Sequence, residues 1–264
     1  MLFKMATILN TFIPYVTCLY RLSFIVGLLS LLLAEFILPD FLQYGKTLIT
    51  RCDTEKDESK NQLSRLFDTI IHFTVPKAWF SHFYILSTIL SIMTCITYPS
   101  YAIPWLIVFH SLRRLYETLY VSKYTSKSRM NWAHYVVGIW FYSVLHIIMN
   151  IKLKEGTIPK HLQIGSFIIF IIASWDQFIN HKVLSELVKY SLPKKRMFKF
   201  ISSPHYLDEL IIYSTLLSYN IEFVWLVVWI FASLGISAIE TQKYYKTKFH
   251  DEEVAPYAFI PFFL

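Results

Sequence analysis

Glycine is scarce in this chain: six of its 264 residues are glycine. The sequence contains no G-x-G-x-x-G and no P-loop, which excludes a Rossmann or Walker site for a nucleotide. It also lacks a G-x-S-x-G element, so the nucleophile elbow of a serine hydrolase is excluded. Any nucleotide that the chain binds must be held by a site of another kind.

Cysteine is scarce as well. Cys18, Cys52 and Cys95 are the three in the chain, and they form neither a disulfide framework nor a zinc pattern. The nine histidines are scattered singly, whereas a membrane di-iron centre needs several histidines at close helical spacing. We therefore expect no metal site.

Charged residues make up 16% of the chain, whereas 55% is hydrophobic and 18% aromatic. This composition leaves too little polar surface for a soluble domain of this length. Backbone groups must be paired inside a bilayer, so we expect an all-α, polytopic membrane protein, with a single integral membrane domain over residues 1–264 and a charged loop near residues 51–61. Since a spanning helix needs about 20 mostly apolar residues, about seven transmembrane helices are predicted, at 16–38, 79–98, 101–121, 132–151, 161–179, 206–219 and 221–239.

Lysine and arginine are distributed unevenly between the predicted loops. With seven spans, one side of the membrane carries most of them, including the run at 182–199, and the other side carries four lysines. Short cytosolic loops hold the excess of positive charge in membrane proteins. We therefore predict a cytosolic C-terminus and an N-terminus on the far side. The net charge of +7 then needs no nucleic-acid partner to explain it.

The segment ISSPHYLDELIIY, at 201–213, places ionisable side chains at the start of an apolar helix. A serine N-cap followed by Pro204 at the first helical position explains how the helix begins. Capping does not explain His205, Asp208 and Glu209. Ionisable groups at membrane depth are costly and mark functional sites, so we interpret this cluster as part of a site.

Four further polar segments end helices on the same side: VPKAWFSHFY (75–84), HSLRRLYE (110–117), DQFINHKVLSELVK (176–189) and ETQKYYKTK (240–248). In the second, Arg113 and Arg114 with Glu117 one turn on suit a phosphate site in which a carboxylate holds the arginines. Arginines that reach the interface from a helix end explain the same pattern equally well. Five polar groups on one side of a bundle favour a cofactor pocket over five unrelated helix caps.

The chain resembles the polyprenol (polyprenal) reductase branch of the steroid 5α-reductase family. The segments that carry the resemblance are VPKAWFSHFY, RRLYETLYVS (113–122), SSPHYLDELIIY (202–213) and AFIPFFL (258–264), in the family's order and spacing. The resemblance covers most of the chain from about residue 75. It implies a seven-helix, steroid 5α-reductase-like fold in the endoplasmic reticulum membrane that binds NADPH from the cytosolic side. It further implies reduction of an activated carbon–carbon double bond in a long-chain isoprenoid lipid, on the route to dolichol for protein N-glycosylation.

The resemblance also assigns roles to residues. His205, Tyr206 and Glu209 fall on the family's N-Y-x-G-E-type motif, which contacts the nicotinamide end of the cofactor. The complete set that it assigns to cofactor binding is Arg114, Gln177, His181, Lys189, Tyr190, His205, Tyr206, Glu209 and Tyr245.

The sequence departs from the steroid-reducing branch at several of these positions. His205 replaces an asparagine, Asp208 a glycine and Gln242 a histidine, and EEVAPY replaces a basic stretch near the C-terminus. The Glu–Tyr pair that the steroid branch uses on its substrate has no clear counterpart. The nearest candidate catalytic donors are His82 and His110.

The chemistry of the reaction restricts the substrate. Hydride adds to carbon only where the negative charge can be delocalised, which an α,β-unsaturated aldehyde permits and an allylic alcohol does not. We therefore predict polyprenal as the immediate substrate.

Two alternative functions remain open. An isoprenylcysteine-type methyltransferase dependent on S-adenosylmethionine shares late acidic residues such as Glu252 and Glu253. A small membrane transporter would place polar residues through the midplane of several helices.

Overall fold

A computed structural model describes residues 2–37, 72–125, 128–188 and 191–263, with side chains from residue 11 onward. The predicted loop at 51–61 lies outside these residues. The described part contains seven α-helices: α1 (Leu2–Ile37), α2 (Phe80–Thr97), α3 (Ala102–Tyr116), α4 (Trp132–Lys154), α5 (Ile164–Glu186), α6 (Pro204–Ser214) and α7 (Val224–Lys248). The all-α membrane architecture is therefore as predicted.

Four helical stretches in the described ranges are long and apolar enough to cross a bilayer: 11–37, 77–97, 132–154 and 221–248. The other three helices are shorter or more polar. α3 continues into a π-helical turn, Glu117–Val121, and α6 into a 3₁₀ turn, Thr215–Ser218. These extensions account for the longer spans predicted at 101–121 and 206–219. α5 and α7 both run past their predicted ends, at residues 179 and 239, because their last turns are polar.

A short antiparallel pair of strands, β1 (Thr74–Pro76) and β2 (Arg129–Asn131), joins the starts of α2 and α4. Hydropathy did not predict it, since each strand has three residues. Asn131 then caps α4, because its side-chain oxygen accepts a hydrogen bond from the Ala133 amide at 2.9 Å. The pair therefore fixes two helix starts at the same end of the bundle.

The start of α6 is held by the C-terminal segment of the chain. Pro204 occupies the first turn as predicted, and Ser203 is at the N-cap position, but the Ser203 side chain makes no capping hydrogen bond. The backbone is fixed instead by pairing with the tail: the Ser202 amide donates to Tyr257 O at 2.9 Å and the Ser203 amide to Ala258 O at 3.2 Å. The serine hydroxyls at this helix start are thus left for another role.

Aromatic and aliphatic side chains fill the space between the helices, with α2 packed against α3 and α4, α6 against α5 and α7, and α1 against α4 and α7. α2 and α4 approach closely at Gly138. A Cβ atom placed there would lie 2.5 Å from Cζ of the buried Phe83 ring.

Gly138→Ala is expected to lower the free energy of unfolding by about 1–3 kcal/mol, because overpacking forces the Phe83 ring to move. Gly165→Ala is the matched control, since a Cβ atom there meets nothing within 4 Å. Thermal unfolding of both variants in the same detergent measures the difference. Equal stability of the two variants would contradict this account of the packing.

Candidate functional site

Four of the five polar segments predicted for one side of the membrane contribute side chains to one group of contacts at one end of the bundle. α3 ends there, α5 places its residues 177–181 there, and α6 begins there at Pro204. Side chains from these helices and from the first turns of α2 contact one another directly. The result is a network of buried and partly buried side chains, hereafter the ionic network, built from Tyr84, His110, Arg113, Arg114, Glu117, Gln177, His181 and Glu209.

Glu117 is the centre of the ionic network. Its side chain is fully buried in the turn where α3 becomes π-helical. Arg113 donates a hydrogen bond to its Oε1 atom and Arg114 to its Oε2 atom. The Nδ1 atom of His181, on α5, lies 2.6 Å from Oε2. A buried carboxylate is stable only with such partners. Within the HSLRRLYE segment, the charge of the carboxylate is therefore compensated by the arginines.

Arg114 joins four helices. Its Nη2 atom donates to Tyr84 Oη at 2.8 Å, and its Cζ atom lies 5.0 Å from the centroid of that ring, within cation–π range. Nη1 is 2.8 Å from His181 Nδ1, and Nε is 3.9 Å from Glu209 Oε2. One guanidinium thus connects α2, α3, α5 and α6.

Gln177 connects the arginines to the start of α6. Its Oε1 atom accepts a hydrogen bond from Arg113 Nη2 at 2.6 Å. Its Nε2 atom donates to the His205 carbonyl oxygen at 3.0 Å and to Glu209 Oε2. Because both ends of this amide are used, its orientation is fixed by the network.

His110 lies at the inner side of the network and is 1% exposed. Its Nε2 atom is 3.6 Å from Glu209 Oε1, and its Nδ1 atom is 3.3 Å from Arg113 Nη2. When the His110 imidazole is neutral, the positive charges of the two arginines in the network balance the negative charges of its two glutamates. The site is therefore a group of paired charges with little exposure at a helix end, and such groups are common in functional sites.

The start of α6 adds aromatic surface beside the network. The His205 ring lies 5.3 Å from the His181 ring and 4.2 Å from the Tyr206 ring, measured between centroids. Ser202 Oγ and Ser203 Oγ at this helix start, and Arg114 Nε in the network beside it, are buried polar atoms without a hydrogen-bond partner among the described residues. Hydroxyls at a helix N-terminus and a guanidinium suit an anionic or amide-bearing ligand. The residues present therefore fit a nicotinamide nucleotide.

A separate chain of hydrogen bonds runs beside the network. Asn180 Nδ2 donates to Asp208 Oδ2 at 2.8 Å and to Asp176 Oδ2 at 2.9 Å, and Arg196 pairs with Asp176. Asp208 and Glu209 are adjacent in sequence but contact different partners. This makes Asp208 a natural control for Glu209.

An apolar cavity of about 250 Å³ lies between α3 and α5. Arg113 and Ser174 lie beside aromatic and aliphatic residues in its wall. Many of those hydrophobic side chains are exposed on the bundle surface, so the cavity is open toward the surrounding apolar phase. The lining residues are Phe109, Arg113, Tyr116, Ile171, Ser174, Trp175 and Phe178.

Comparison with known proteins identifies the family. The sequence profile of the 3-oxo-5-alpha-steroid 4-dehydrogenase family matches residues 144–264. The chain is 56% identical over 252 residues to the polyprenal reductase of Saccharomyces cerevisiae, covering 96% of this chain and 97% of that protein. This chain belongs to the polyprenal reductase branch of the steroid 5α-reductase family. The predicted resemblance is confirmed.

More distant members of the branch match nearly the whole chain too. The human polyprenal reductase is 28% identical over 306 residues, covering 91% of this chain and 92% of that protein. The Caenorhabditis elegans polyprenal reductase is 26% identical over 292 residues, covering 86% and 88%.

The structure brings together most of the residues that the family resemblance assigned to the cofactor. Arg114, Gln177, His181 and Glu209 belong to the ionic network, and His205 and Tyr206 lie beside it. Tyr245 is elsewhere: it is buried on α7, where its ring contacts those of Tyr244 and Phe249. Lys189 and Tyr190 lie outside the described residues.

The two candidate catalytic histidines occupy different places. His110 is inside the ionic network. His82 is exposed, with its Nδ1 atom 3.1 Å from Tyr135 Oη and its ring 5.5 Å from that of Trp79. Of the two histidines, His110 therefore lies in the assembled site, and His82 does not.

Gln242 replaces the family's histidine and has a structural role here. Its Nε2 atom donates to the carbonyl oxygens of Ala255 and Pro256, both at 2.9 Å. It therefore anchors the tail that pairs with the start of α6. The acidic substitution in the same tail is partly compensated, since Glu252 pairs with Lys194.

The family resemblance assigns no role to three residues of the ionic network, Tyr84, Arg113 and Glu117. The sequence indicates a candidate phosphate site for Arg113 and Glu117, and the i, i+4 spacing does pair them. Tyr84 was inside a segment of interest, but nothing in the sequence distinguished it from its neighbours. The hydroxyl contact with Arg114 comes from the packing of α2 on α3.

Proposed function

We propose that this protein is an NADPH-dependent reductase that saturates the α-isoprene double bond of polyprenal on the route to dolichol. Its similarity to polyprenal reductases over nearly the full chain supports the substrate class. The observation that supports the site is the partly buried Glu209 carboxylate, which Gln177, Arg114 and His110 surround at a helix start. Dolichol would then serve protein N-glycosylation in the endoplasmic reticulum.

The cofactor binds, in this proposal, across the ionic network and the start of α6. Glu209 and Gln177 orient the nicotinamide end, with the rings of His181, His205 and Tyr206 beside it. Lys189, Tyr190 and Tyr245 remain proposed contacts of its phosphate-bearing part. When bound, NADPH supplies the hydride.

The protein's own residues exclude water and hold charge in this scheme. His110, buried between Arg113 and Glu209, is the proposed donor of the proton that completes the reduction. His82 stays a second candidate donor. Low exposure of the network strengthens each electrostatic contact, because the local dielectric is low.

The same arrangement supports the proposed membrane orientation. The ionic network lies at the end of the bundle where α7 ends and where the lysine-rich loops begin. Positive loops favour the cytosolic face. We propose that this end, with the C-terminus, faces the cytosol of an endoplasmic reticulum membrane, where NADPH is supplied.

The apolar cavity between α3 and α5 is the proposed resting place of the isoprenoid chain next to its reactive end. It is bordered by aromatic rings, is open to the apolar phase, and adjoins Arg113 of the ionic network. A lipid can enter it sideways without crossing water.

Ile171→Trp is expected to fill this cavity and raise the KM for long-chain polyprenal about tenfold, with a smaller effect on a two-isoprene analogue. Ile172→Trp is the control, since Ile172 is 63% exposed and does not line the cavity. Steady-state kinetics in lipid nanodiscs measures both. Equal KM values for the two variants would show that the chain lies elsewhere.

Cofactor binding by the purified protein tests the proposed function. Isothermal titration in detergent should show saturable binding of NADPH and none of S-adenosylmethionine. Binding of S-adenosylmethionine alone would favour a methyltransferase. Binding of neither, with uptake of solute into vesicles that contain the protein, would favour a transporter.

A further inference from the structure

Tyr213 lies one helical turn beyond Glu209 on the same face of α6, because the two are four residues apart. Its side chain is 1% exposed. The ring contacts that of His110 edge-on at 5.5 Å and that of Phe141 at 5.4 Å. A turn of α-helix rises about 5.4 Å, so Tyr213 is deeper in the bundle than the proposed nicotinamide site.

The Tyr213 hydroxyl is buried, and no atom of the described residues lies at a distance and angle that make a hydrogen bond with it. Its polar neighbour is Tyr142 of α4, which interacts with it through the hydroxyl groups. An unsatisfied buried hydroxyl costs free energy, and each such group in a native structure calls for an explanation. The Nε2 atom of His110, on the facing helix, likewise has no hydrogen-bond partner in that part of the chain.

We propose that Tyr213 is a catalytic residue whose hydroxyl donates a hydrogen bond to the aldehyde oxygen of the substrate. This inference depends on the proposed function. With the nicotinamide end at Glu209, an aldehyde oxygen on the inner side of the site would lie toward Tyr213. A phenol hydroxyl in an environment of low dielectric can donate a hydrogen bond that stabilises the negative charge on such an oxygen.

When bound, NADPH would supply a hydride to the β-carbon; the electrons of the carbon–carbon double bond would move to the α-carbon–carbonyl bond, and the carbonyl pair would move to oxygen. Tyr213 keeps its proton and holds that oxygen. A proton from water, passed on by the His110 imidazole, would then add at the α-carbon while the carbonyl re-forms. The products are the saturated aldehyde and NADP⁺.

Tyr213 fits this role better than the two histidines do. His82 faces Tyr135 at the surface. The two nitrogens of His110 face Arg113 and Glu209, so they are directed at charged groups. The Tyr213 hydroxyl, by contrast, is hydrogen-bonded to no charged group of the described residues, and it lies deeper in the bundle than the unpartnered hydroxyls of Ser202 and Ser203 at the helix start.

Tyr213→Phe removes one oxygen atom and is expected to lower kcat for polyprenal about 100-fold, the usual loss for one oxyanion donor. The Kd for NADPH should stay within twofold, and polyprenal should bind about tenfold more weakly in the absence of cofactor, measured by tryptophan fluorescence. Tyr219→Phe is the control: Tyr219 is 3% exposed, and its hydroxyl accepts from the Gln163 amide at 3.2 Å, away from the network.

A Tyr213→Phe variant with at least half of the wild-type kcat would overturn this inference, provided that wild type reduces polyprenal. An inactive wild type would instead overturn the proposed function. If the phenylalanine variant does not fold, incorporation of 3-fluorotyrosine at position 213 gives the answer: kcat should change with the acidity of the phenol, and an unchanged kcat overturns the role.

Discussion

Glu209→Gln is expected to lower kcat/KM for polyprenal about 100-fold and to weaken NADPH binding, because it removes the charge that Arg114, Gln177 and His110 surround. Hydrogen bonds to charged groups contribute about 1.5–3 kcal/mol, which corresponds to a loss of this order. The glutamine has nearly the same size, so the packing of α6 should persist. Kinetics and NADPH titration on the purified variant measure both effects.

Asp208→Asn is the matched control for Glu209→Gln. Asp208 is the neighbouring carboxylate of α6, also buried, and it contacts Asn180 outside the ionic network. We expect its kcat/KM to stay within about fivefold of wild type, because a neutral amide retains a hydrogen bond to Asn180. Equal losses in the two variants would mean that the helix start is sensitive as a whole and that Glu209 has no special role.

Glu117→Gln is expected to lower the free energy of unfolding by about 3–5 kcal/mol, because it leaves Arg113 and Arg114 buried without their carboxylate. The control is Glu240→Gln, whose partner Lys243 is exposed, and which should cost at most about 1 kcal/mol. Denaturant or thermal unfolding in detergent, with both variants in the same conditions, gives the comparison.

A double variant separates charge from packing in the Glu117 result. Glu117→Gln combined with Arg113→Met removes one unpaired charge, so the pair should be less destabilised than the sum of the two single changes. Additive losses, or a Glu117→Gln variant as stable as Glu240→Gln, would contradict the view that Glu117 organises the site.

The sequence predicted the helices because apolar length is a strong signal in a bilayer. All seven predicted spans overlap a helix of the structure, and the polar start of α6 follows the prediction at Pro204. The ends were less predictable. A π-helical turn after Tyr116 and a 3₁₀ turn after Ser214 come from local packing that hydropathy does not report.

The candidate site was predictable where charges share one helix face, as in Arg113, Arg114 and Glu117. The site was not predictable where the rotation of a helix about its axis determines which side chains meet. His82 and Tyr84 are two residues apart, so they point about 200° apart around α2. Tyr84 meets Arg114 and His82 meets Tyr135, a difference set by how α2 packs on α3 and α4.

The most direct measurement for the central claim is the product formed by the purified protein in lipid nanodiscs with NADPH, given polyprenal or polyprenol separately. Mass spectrometry should find the saturated aldehyde from polyprenal, with one equivalent of NADPH consumed, and no saturated product from polyprenol. Equal conversion of polyprenol without an oxidising enzyme, or no reduction of polyprenal, would contradict the account.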